Sequence, residues 1–523
     1  MKKNLIKLFI LTGASLLAVS CGGNGGGGDD TSNKQSDSSL TSSSNTSSQG
    51  GSGGNTIEIS FWHTFGQTIQ DNLNIQLREF KRLIKQNDGV DVNVKLTPFS
   101  DYATINSDIN TKIKTNDIPT IAVAYPDHVA DYLLAEGNTP GKYIVDFNTY
   151  INDPQVGLGK EAYLGDREND SIDDFIPAYL AGGSDFSREG QLCLPYMKST
   201  EAMLYNYNAV EKVLAHYKPE FNGAKNKIQE YMNNLDWDEF MELCRQTATY
   251  KNEFNPDLKQ VAYYDSDANL FISQLFQSGI PYSSIVTNEQ GKKGGHIDFA
   301  EGQARTDAEN LVKKLKQNRD NLSNGIRILN TKGTEGNYGS NSFKEVESVY
   351  VVGSTGGSGY SLTTAFEIGV CKVPCVKNGN PLYVTQGPEL CIFNNPSLSE
   401  TANRQRTLYA WKLIKFLTNP KNNCQICLQG SEGYLPVRKS AYSQDLYLDF
   451  LDTKEEGEFQ PCIAELVTDG INGRYFNTKC FAGSTDLRTA CGSLLTDCLL
   501  AKSVDDISTK FQTAIDNAVK MFK

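Results

Sequence analysis

Carboxylates that follow predicted strands are the first candidates for chemistry in this sequence. Asp127 follows the apolar run 119–125, and Asp265 and Asp267 follow the run Val261–Tyr264. Two carboxylates about 5–10 Å apart could hydrolyse a glycosidic bond. Alternatively, each could accept hydrogen bonds from sugar hydroxyls or simply start a helix. No Gly-x-Ser-x-Gly elbow lies between a predicted strand and helix, and no His-Glu-x-x-His motif occurs, so a secreted glycan hydrolase is kept only as an alternative.

Aromatic side chains are the second kind of candidate, because a planar ring can stack on the apolar face of a sugar. Trp62 and His63 end the first predicted strand, and Tyr125 ends the third. The alternatives are core packing for Trp62 and a surface loop for His63. The chain has 25 Tyr and 24 Phe, and most of these must build the core rather than a site.

A small polar loop, Gly353–Gly357, follows the predicted strand Val349–Val352. Glycines let a backbone approach a ligand closely and leave its N–H groups available. We therefore take Ser354 and Gly356 as candidate contacts. The loop is not a P-loop, since no Gly-Lys-Ser/Thr follows it.

The cysteines offer a weaker possibility. A zinc site or a redox pair could be built from Cys424-x-x-Cys427 and Cys371-x-x-x-Cys375, but the spacings are irregular. We predict instead buried small side chains with a few disulfides, and no metal or other cofactor. The chain has 12 cysteines: Cys21, Cys193, Cys244, Cys371, Cys375, Cys391, Cys424, Cys427, Cys462, Cys480, Cys491 and Cys498.

Composition sets the class of protein. The 523 residues are 39% hydrophobic and 21% charged, as in ordinary globular proteins of two or more domains. Lys and Arg number 50 against 62 Asp and Glu, a formal net charge of −12. This balance argues against a nucleic-acid-binding protein.

The N-terminus is typical of an export signal. Lys2, Lys3 and Lys7 precede the short apolar stretch Leu8–Val19, which is too short to span a bilayer. Ser20-Cys21 then resembles a lipoprotein cleavage site, so we predict a signal peptide over 1–20 and a lipid, such as palmitate, on Cys21. The alternative is an ordinary signal peptide followed by a chance cysteine.

Residues 22–55 have the composition of a flexible tether. Gly and Ser fill 20 of these 34 positions, so the segment cannot bury enough apolar surface to fold. We therefore predict a disordered tether over 21–55 with a span of roughly 30–35 Å. It would hold an exported domain at the cell surface or at a periplasm-facing membrane.

The folded part begins with alternating strand and helix patterns. Apolar residues alternate over 57–61 and 90–96, and they recur at helical spacing over 69–84 and 105–113. With the run 119–125, this order predicts a parallel sheet covered by helices. Ligands of such sheets bind beyond the carboxyl ends of the strands, which makes the loops at 62–64, after Leu96 and at 125–128 candidates. A helix is also predicted over 405–419, ended by Pro420.

Several segments together resemble the extracellular solute-binding proteins of ABC importers, in the carbohydrate family that includes glycerol-3-phosphate binders. The resemblance covers about 57–523 and rests on the order of its motifs. These are Ile59–Thr64, Leu194–Asn206, Val351–Gly357, Trp411–Tyr442 with Glu432–Arg438, and Phe481–Arg488.

The resemblance implies an α/β fold of the periplasmic-binding-protein type, with two lobes joined by crossover strands and a ligand cleft between them. Lobe 1 would take 57–200 plus 388–436, and lobe 2 would take 201–387 plus 437–523. Such a protein is not an enzyme; it closes over a solute by hinge motion and delivers it, as a monomer, to an ABC permease.

The resemblance also implies three further ligand contacts: Ser199, Tyr434 and Arg488. The Arg488 guanidinium could fork onto a phosphate or onto vicinal hydroxyls, or it could form a surface ion pair with Asp486. The expected solute is a neutral sugar or oligosaccharide. A phosphorylated polyol such as glycerol-3-phosphate is the alternative, and a structural surface protein without any solute is a third.

Overall fold

The computed structural model describes residues 56–430, 433–453, 460–470 and 473–521. The predicted signal peptide, Cys21 and the Gly/Ser tether lie outside these ranges. Within them, none of the helices has the length and apolar character needed to cross a membrane.

The strands of the described residues are β1 Thr56–His63, β2 Asp91–Pro98, β3 Ile121–Ala124, β4 Leu194–Pro195, β5 Glu201–Asn206, β6 Ala262–Tyr264, β7 Ser283–Thr287, β8 Lys293–Ile297, β9 Leu329–Thr331, β10 Tyr350–Ser354, β11 Ile368–Lys372, β12 Tyr383–Val384, β13 Glu389–Ile392 and β14 Tyr475–Phe476.

The α-helices are α1 Gln67–Asp88, α2 Tyr102–Lys112, α3 Pro126–Leu134, α4 Asn148–Ile151, α5 Pro177–Ala181, α6 Tyr207–Tyr217, α7 Lys225–Asn233, α8 Trp237–Thr249, α9 Asp267–Gln277, α10 Gly302–Asp320, α11 Lys332–Glu335, α12 Gly339–Lys344, α13 Glu400–Leu417, α14 Pro420–Gly430, α15 Asp445–Asp452, α16 Gln460–Glu465, α17 Ser484–Leu499 and α18 Ile507–Met521.

Sheet 1 has the strand order β2-β1-β3-β13-β4. β1 pairs in parallel with β2 and β3, and β13 runs antiparallel to β3 and β4. Its core forms because the alternating side chains of β1 bury Ile59 and Phe61 in one cluster with the apolar face of α1. α1 ends at Gly89, whose φ of 70° is a left-handed conformation that glycine adopts readily. The predicted parallel strands and covering helices are confirmed.

Sheet 2 has the order β11-β5-β10-β6-β9. β6 pairs in parallel with β9 and β10, whereas β5 lies antiparallel to both β10 and β11. The predicted strands Val261–Tyr264 and Val349–Val352 are present in it as β6 and β10. α8 begins with a capping box, in which Asp236 and Glu239 each accept a backbone N–H of the other.

Three chain segments connect the two sheets, so the fold is a two-lobed α/β structure. The first runs from β4 to β5, and the second from β12 to β13. Ser199 in the first segment exchanges backbone hydrogen bonds with Gln386 in the second. Lys198 does the same with Leu435 in the third segment, which lies between α14 and α15. We call the parts built on sheets 1 and 2 lobe 1 and lobe 2; the residue boundaries predicted for them remain a prediction.

The helix predicted over 405–419 is α13, which ends at Leu417. Pro420 does not simply stop it. It is the first residue of α14, a position where proline is tolerated because the first N–H of a helix needs no intrahelical partner.

Candidate functional site

A cavity of about 860 Å³ lies between the two lobes. Lobe 1 lines it with residues that follow the carboxyl ends of β2 and β3, as the strand pattern predicts. Lobe 2 lines it from the ends of β6 and β10, from the start of β5 and from α17. The lining includes Tyr102, Tyr125, Asp127, His128, Lys198, Glu201, Asp265, Asn269, Lys332, Ser354 and Arg488.

Two tyrosines form the aromatic part of the lobe 1 wall. The rings of Tyr102 and Tyr125 stack with their centroids 4.3 Å apart at an interplanar angle of 30°. Burial raises the pKa of both hydroxyls, so both stay protonated at physiological pH. Tyr434 lies behind the pair: its side chain is hydrogen bonded to Tyr102. The pair gives the cavity a half-buried apolar surface with polar tips.

A hydrogen-bonded row of polar side chains forms the lobe 2 wall. Arg488 Nη2 donates to Asn269 Oδ1, and Asn269 Nδ2 donates to Glu201 Oε1 at 2.6 Å. The other carboxylate oxygen of Glu201 accepts the hydroxyl of Tyr264. Burial raises the pKa of Glu201 to about 7, against the opposing effects of these hydrogen bonds and of the Arg488 charge.

Asp265 is the second carboxylate of lobe 2 in the cavity. Its Oδ1 accepts the backbone N–H of Gly339 at 2.6 Å. Burial raises its pKa to about 6, and the Gly339 hydrogen bond and the nearby Lys332 charge oppose that shift. A carboxylate held this way can accept hydrogen bonds from hydroxyl groups of a ligand.

Lys198 contributes a cation whose charge is already balanced. Its Nζ lies 2.7 Å from Glu389 Oε1, and the side chains of both residues are almost wholly buried. Lys198 lies in the segment between β4 and β5, and Glu389 is the first residue of β13. The pair therefore adds hydrogen-bond donors to the cavity floor without adding net charge.

Five of the residues predicted from the sequence line the cavity: Tyr125, Asp127, Asp265, Ser354 and Arg488. Asp127 also accepts the N–H of His128 in the first turn of α3. Asp127 therefore both lies at the start of α3 and lines the cavity.

Trp62 and His63, which were also predicted as contacts, do not line this cavity. Both are the last residues of β1 and are buried. Trp62 packs on Phe99 with Lys112 over its ring. His63 stacks on Phe65 and accepts its N–H through Nδ1 at 3.2 Å, and burial lowers its pKa to about 4. Both side chains point to the core because the strand continues through the predicted loop.

Asp267 is also not at this cavity. It is the first residue of α9, and its carboxylate accepts hydrogen bonds from Thr331 at 2.6 Å, Gly333 at 2.8 Å and Thr496 at 2.9 Å. The alternative of a helix start is the one that the structure bears out. These three donors satisfy the carboxylate within the protein.

The remaining three predicted contacts, Ser199, Gly356 and Tyr434, are not among the described residues that line the cavity. Ser199 is buried, and its hydroxyl lies 3.4 Å from that of Ser354, which does line it. Tyr434 lies over Gly356, where a Cβ would come within 2.8 Å of the ring. Gly356 is therefore needed to seat Tyr434, and Tyr434 supports Tyr102.

Glu201, Asn269 and Tyr102 are cavity residues that the sequence did not reveal. Glu201 is the first residue of a strand whose six residues are all buried, but that burial is visible only in the structure. Tyr102 and Asn269 lie on helices with no local pattern that distinguishes them from packing residues.

The cysteines show no metal arrangement: among the described residues, no three His, Cys, Asp or Glu side chains cluster as metal ligands. Cys371, Cys391 and Cys424 are free and buried, and Cys375 is free and partly buried. Burial raises the pKa of all four thiols, which keeps them protonated.

The comparisons with known proteins agree with this geometry. A family model described as bacterial extracellular solute-binding protein matches residues 78–449. No curated protein sequence matches the chain.

Three similar solved structures share the fold. UgpB from Mycobacterium tuberculosis, in complex with glycerophosphocholine, is 18% identical with a TM-score of 0.60, covering 90% of this chain and 98% of that one. The cyclic α-maltosyl-1,6-maltose binding protein from Arthrobacter globiformis is 16% identical with a TM-score of 0.59, covering 89% and 100%. The ABC substrate-binding protein Lmo0181 from Listeria monocytogenes, in complex with cycloalternan, is 13% identical with a TM-score of 0.59, covering 90% and 100%.

Proposed function

The chain belongs to the family of bacterial extracellular solute-binding proteins, and on that basis we propose that it captures a neutral sugar or oligosaccharide for an ABC importer. The cavity between the lobes is the proposed binding site. The lobes would close over the solute by bending the three connecting segments and would then present it to the permease. The observation that carries this proposal is the pairing of stacked tyrosines on one wall with carboxylates on the other.

The charges of the cavity favour a neutral solute. Asp127, Glu201 and Asp265 supply three carboxylates. Against these stand Arg488 and Lys332, since Lys198 is already paired with Glu389. Carboxylates accept hydrogen bonds from hydroxyls and repel phosphates. The stacked tyrosines add apolar surface that suits a sugar ring.

A phosphorylated polyol is the second candidate, and Arg488 is the observation that favours it. A guanidinium binds phosphate through paired N–H donors. Because charged interactions are screened by salt, affinity for such a ligand should fall steeply as salt rises and collapse in Arg488→Ala. Affinity for a neutral sugar should change little with salt, and Arg488→Ala should weaken it only by the loss of hydrogen bonds to hydroxyls.

The test is a thermal-shift screen of the full chain against neutral sugars, polyols and phosphate esters, followed by calorimetry of any hit. A ligand that binds only the folded protein raises its melting temperature by mass action. We expect the largest shift from a neutral sugar or oligosaccharide. Recovery of the sugar intact after incubation would separate binding from glycan hydrolysis, for which Asp127 and Asp265 are the available carboxylates. If no sugar shifts the melting temperature, the proposed function is wrong.

We also propose that a lipid on Cys21 anchors the protein. The proposal rests on the apolar stretch Leu8–Val19 followed by Ser20-Cys21. Cys21→Ser should move the protein from the membrane fraction to the soluble fraction. Unchanged membrane retention of the variant would contradict the anchor.

A further inference from the structure

The side chain of Asn269 is hydrogen bonded to both Glu201 and Arg488 in the wall of the cavity. Its carbonyl oxygen accepts from the Arg488 guanidinium, and its amide nitrogen donates to Glu201. An amide that accepts at one end and donates at the other is oriented by both partners. The hydrogen bonds therefore fix which end of Asn269 faces Arg488.

The burial of the three partners makes this connection rigid. Glu201 and Asn269 are 4% and 2% exposed, and Tyr264, which donates to the second oxygen of Glu201, is 1% exposed. Both oxygens of Glu201 act as acceptors, which suits the ionised carboxylate. Arg488 is only partly buried and reaches the cavity, and the bond to Asn269 occupies one of its five N–H donors.

This arrangement decides what kind of ligand Arg488 can hold. A guanidinium near a buried carboxylate still offers N–H donors to hydroxyl groups. The positive charge of Arg488, however, is already compensated by the negative charge of Glu201. An anionic ligand bound beside Arg488 would be repelled by the Glu201 carboxylate. In a half-buried site this repulsion is screened much less than at the surface.

We propose that Glu201 is the specificity-determining residue of the cavity: through Asn269 it balances the charge of Arg488, so that the arginine binds hydroxyls and rejects phosphate and sulfate groups. The inference rests on the proposed function, because it assigns a solute class to that same site. Neither Glu201 nor Asn269 is among the contact residues predicted from the sequence.

The test uses sulfate as the probe, because sulfate keeps its two negative charges across the working pH range. Sulfate affinity is measured by thermal shift and calorimetry at pH 8 and constant ionic strength. We expect Glu201→Gln to bind sulfate at least tenfold more tightly than the unmodified protein. Glutamine keeps the shape of the side chain and an acceptor for Asn269, but removes the charge.

Two matched variants show whether the effect is specific. Asp265→Asn removes the same charge from the same cavity but breaks no link to Arg488, and we expect its sulfate affinity to rise less than threefold. The double variant Glu201→Gln with Arg488→Met should lose the gain. No gain in Glu201→Gln, or an equal gain in Asp265→Asn, would overturn the proposal.

A second measurement avoids any risk that Glu201→Gln fails to fold. In the unmodified protein, sulfate affinity should rise as the pH falls from 8 to 5.5, and the rise should be absent in Arg488→Met. The charged or titratable groups around Glu201 are Arg488, Asp265 and Tyr264, so the same titration in Asp265→Asn separates the two acids. A flat titration would contradict the role of Glu201. The sugar screen is independent of sulfate, so failure of this inference and failure of the proposed function are distinguishable.

Discussion

At the scale of single residues, Tyr125 and Trp62 form a matched pair of aromatic side chains with opposite surroundings. Tyr125 lines the cavity, whereas Trp62 packs in the core of lobe 1. We expect Tyr125→Ala to raise the dissociation constant of the bound sugar about tenfold, which corresponds to roughly 1.4 kcal/mol of lost contact. We expect Trp62→Ala to lower the free energy of unfolding by about 3–5 kcal/mol and to leave the dissociation constant nearly unchanged.

Calorimetry and denaturant unfolding of the two variants check this prediction. The unmodified protein is the reference for both quantities. A large loss of affinity in Trp62→Ala, with stability retained, would contradict this prediction and show that Trp62 contributes to sugar binding.

His63 should make the stability of the protein depend on pH. Its pKa is lowered from 6.5 to about 4 in the folded protein because the ring is buried. The unfolded chain therefore binds a proton in this range that the folded protein does not, so stability is lost as the pH falls from 6.5 towards 4. The loss should reach about 3 kcal/mol near pH 4.

His63→Gln keeps an acceptor for the Phe65 N–H but cannot titrate. Chemical denaturation at pH 7 and pH 4.5 should show a smaller loss for this variant than for the unmodified protein. The difference between the two losses of unfolding free energy gives the contribution of His63, separate from those of the carboxylates and the other histidines. Equal losses would show that His63 does not contribute.

At the scale of elements, the sequence predicted strands and helices better than their arrangement. The alternation over β1 and β2 and the helical spacing over α1 are local patterns, so they could be identified along the chain. The antiparallel place of β5 and β13 depends on partners 145–271 residues away, such as Tyr350 for Tyr205 and Ile121 for Ile392. No local pattern encodes such pairings.

The candidate site divides in the same way. Tyr125, Asp127 and Asp265 follow strand ends, where the topology of a parallel sheet places ligands, and the structure puts them at the cavity. The alternation over 57–61 places Trp62 just after a strand end, but β1 continues to His63. Glu201 begins a strand, and only its three-dimensional neighbours distinguish it from a structural acid.

Contact between α3 and α17 should influence the closure of the lobes. Asp131 on α3 of lobe 1 accepts the N–H of Gly483 at 3.3 Å and the hydroxyl of Thr485 at 3.2 Å, at the start of α17 in lobe 2. A carboxylate at a helix N-terminus is stabilising by roughly 0.3–1 kcal/mol. We therefore expect Asp131→Asn to weaken sugar binding two- to fivefold, because it destabilises the closed arrangement.

The control is Asp71→Asn, which removes an exposed carboxylate from α1, away from this contact. Calorimetry with the same sugar should find the control unchanged. An affinity for Asp131→Asn equal to that of the control would show that the α3–α17 contact does not contribute to binding.

At the scale of the whole molecule, the three connecting segments predict a hinge. The segments from β4 to β5 and from β12 to β13 are short, and the three segments pair with one another only at Ser199–Gln386 and Lys198–Leu435 among the described bridges. Such narrow connections resist bending less than the packed lobes do. Small-angle scattering should therefore give a smaller radius of gyration with saturating sugar than without it. Identical scattering profiles would contradict hinge closure.

The position of β13 also determines when the chain can fold. β13 lies inside sheet 1, between β3 and β4, yet it follows the strands β5 to β11 of sheet 2 and the strand β12 in sequence. During synthesis, β3 and β4 have edges without the β13 partner until Ile392, the last residue of β13, has left the ribosome. Unpaired strand edges promote aggregation. A fragment that ends at Pro388 should thus aggregate or unfold without cooperativity, although it contains most of both lobes.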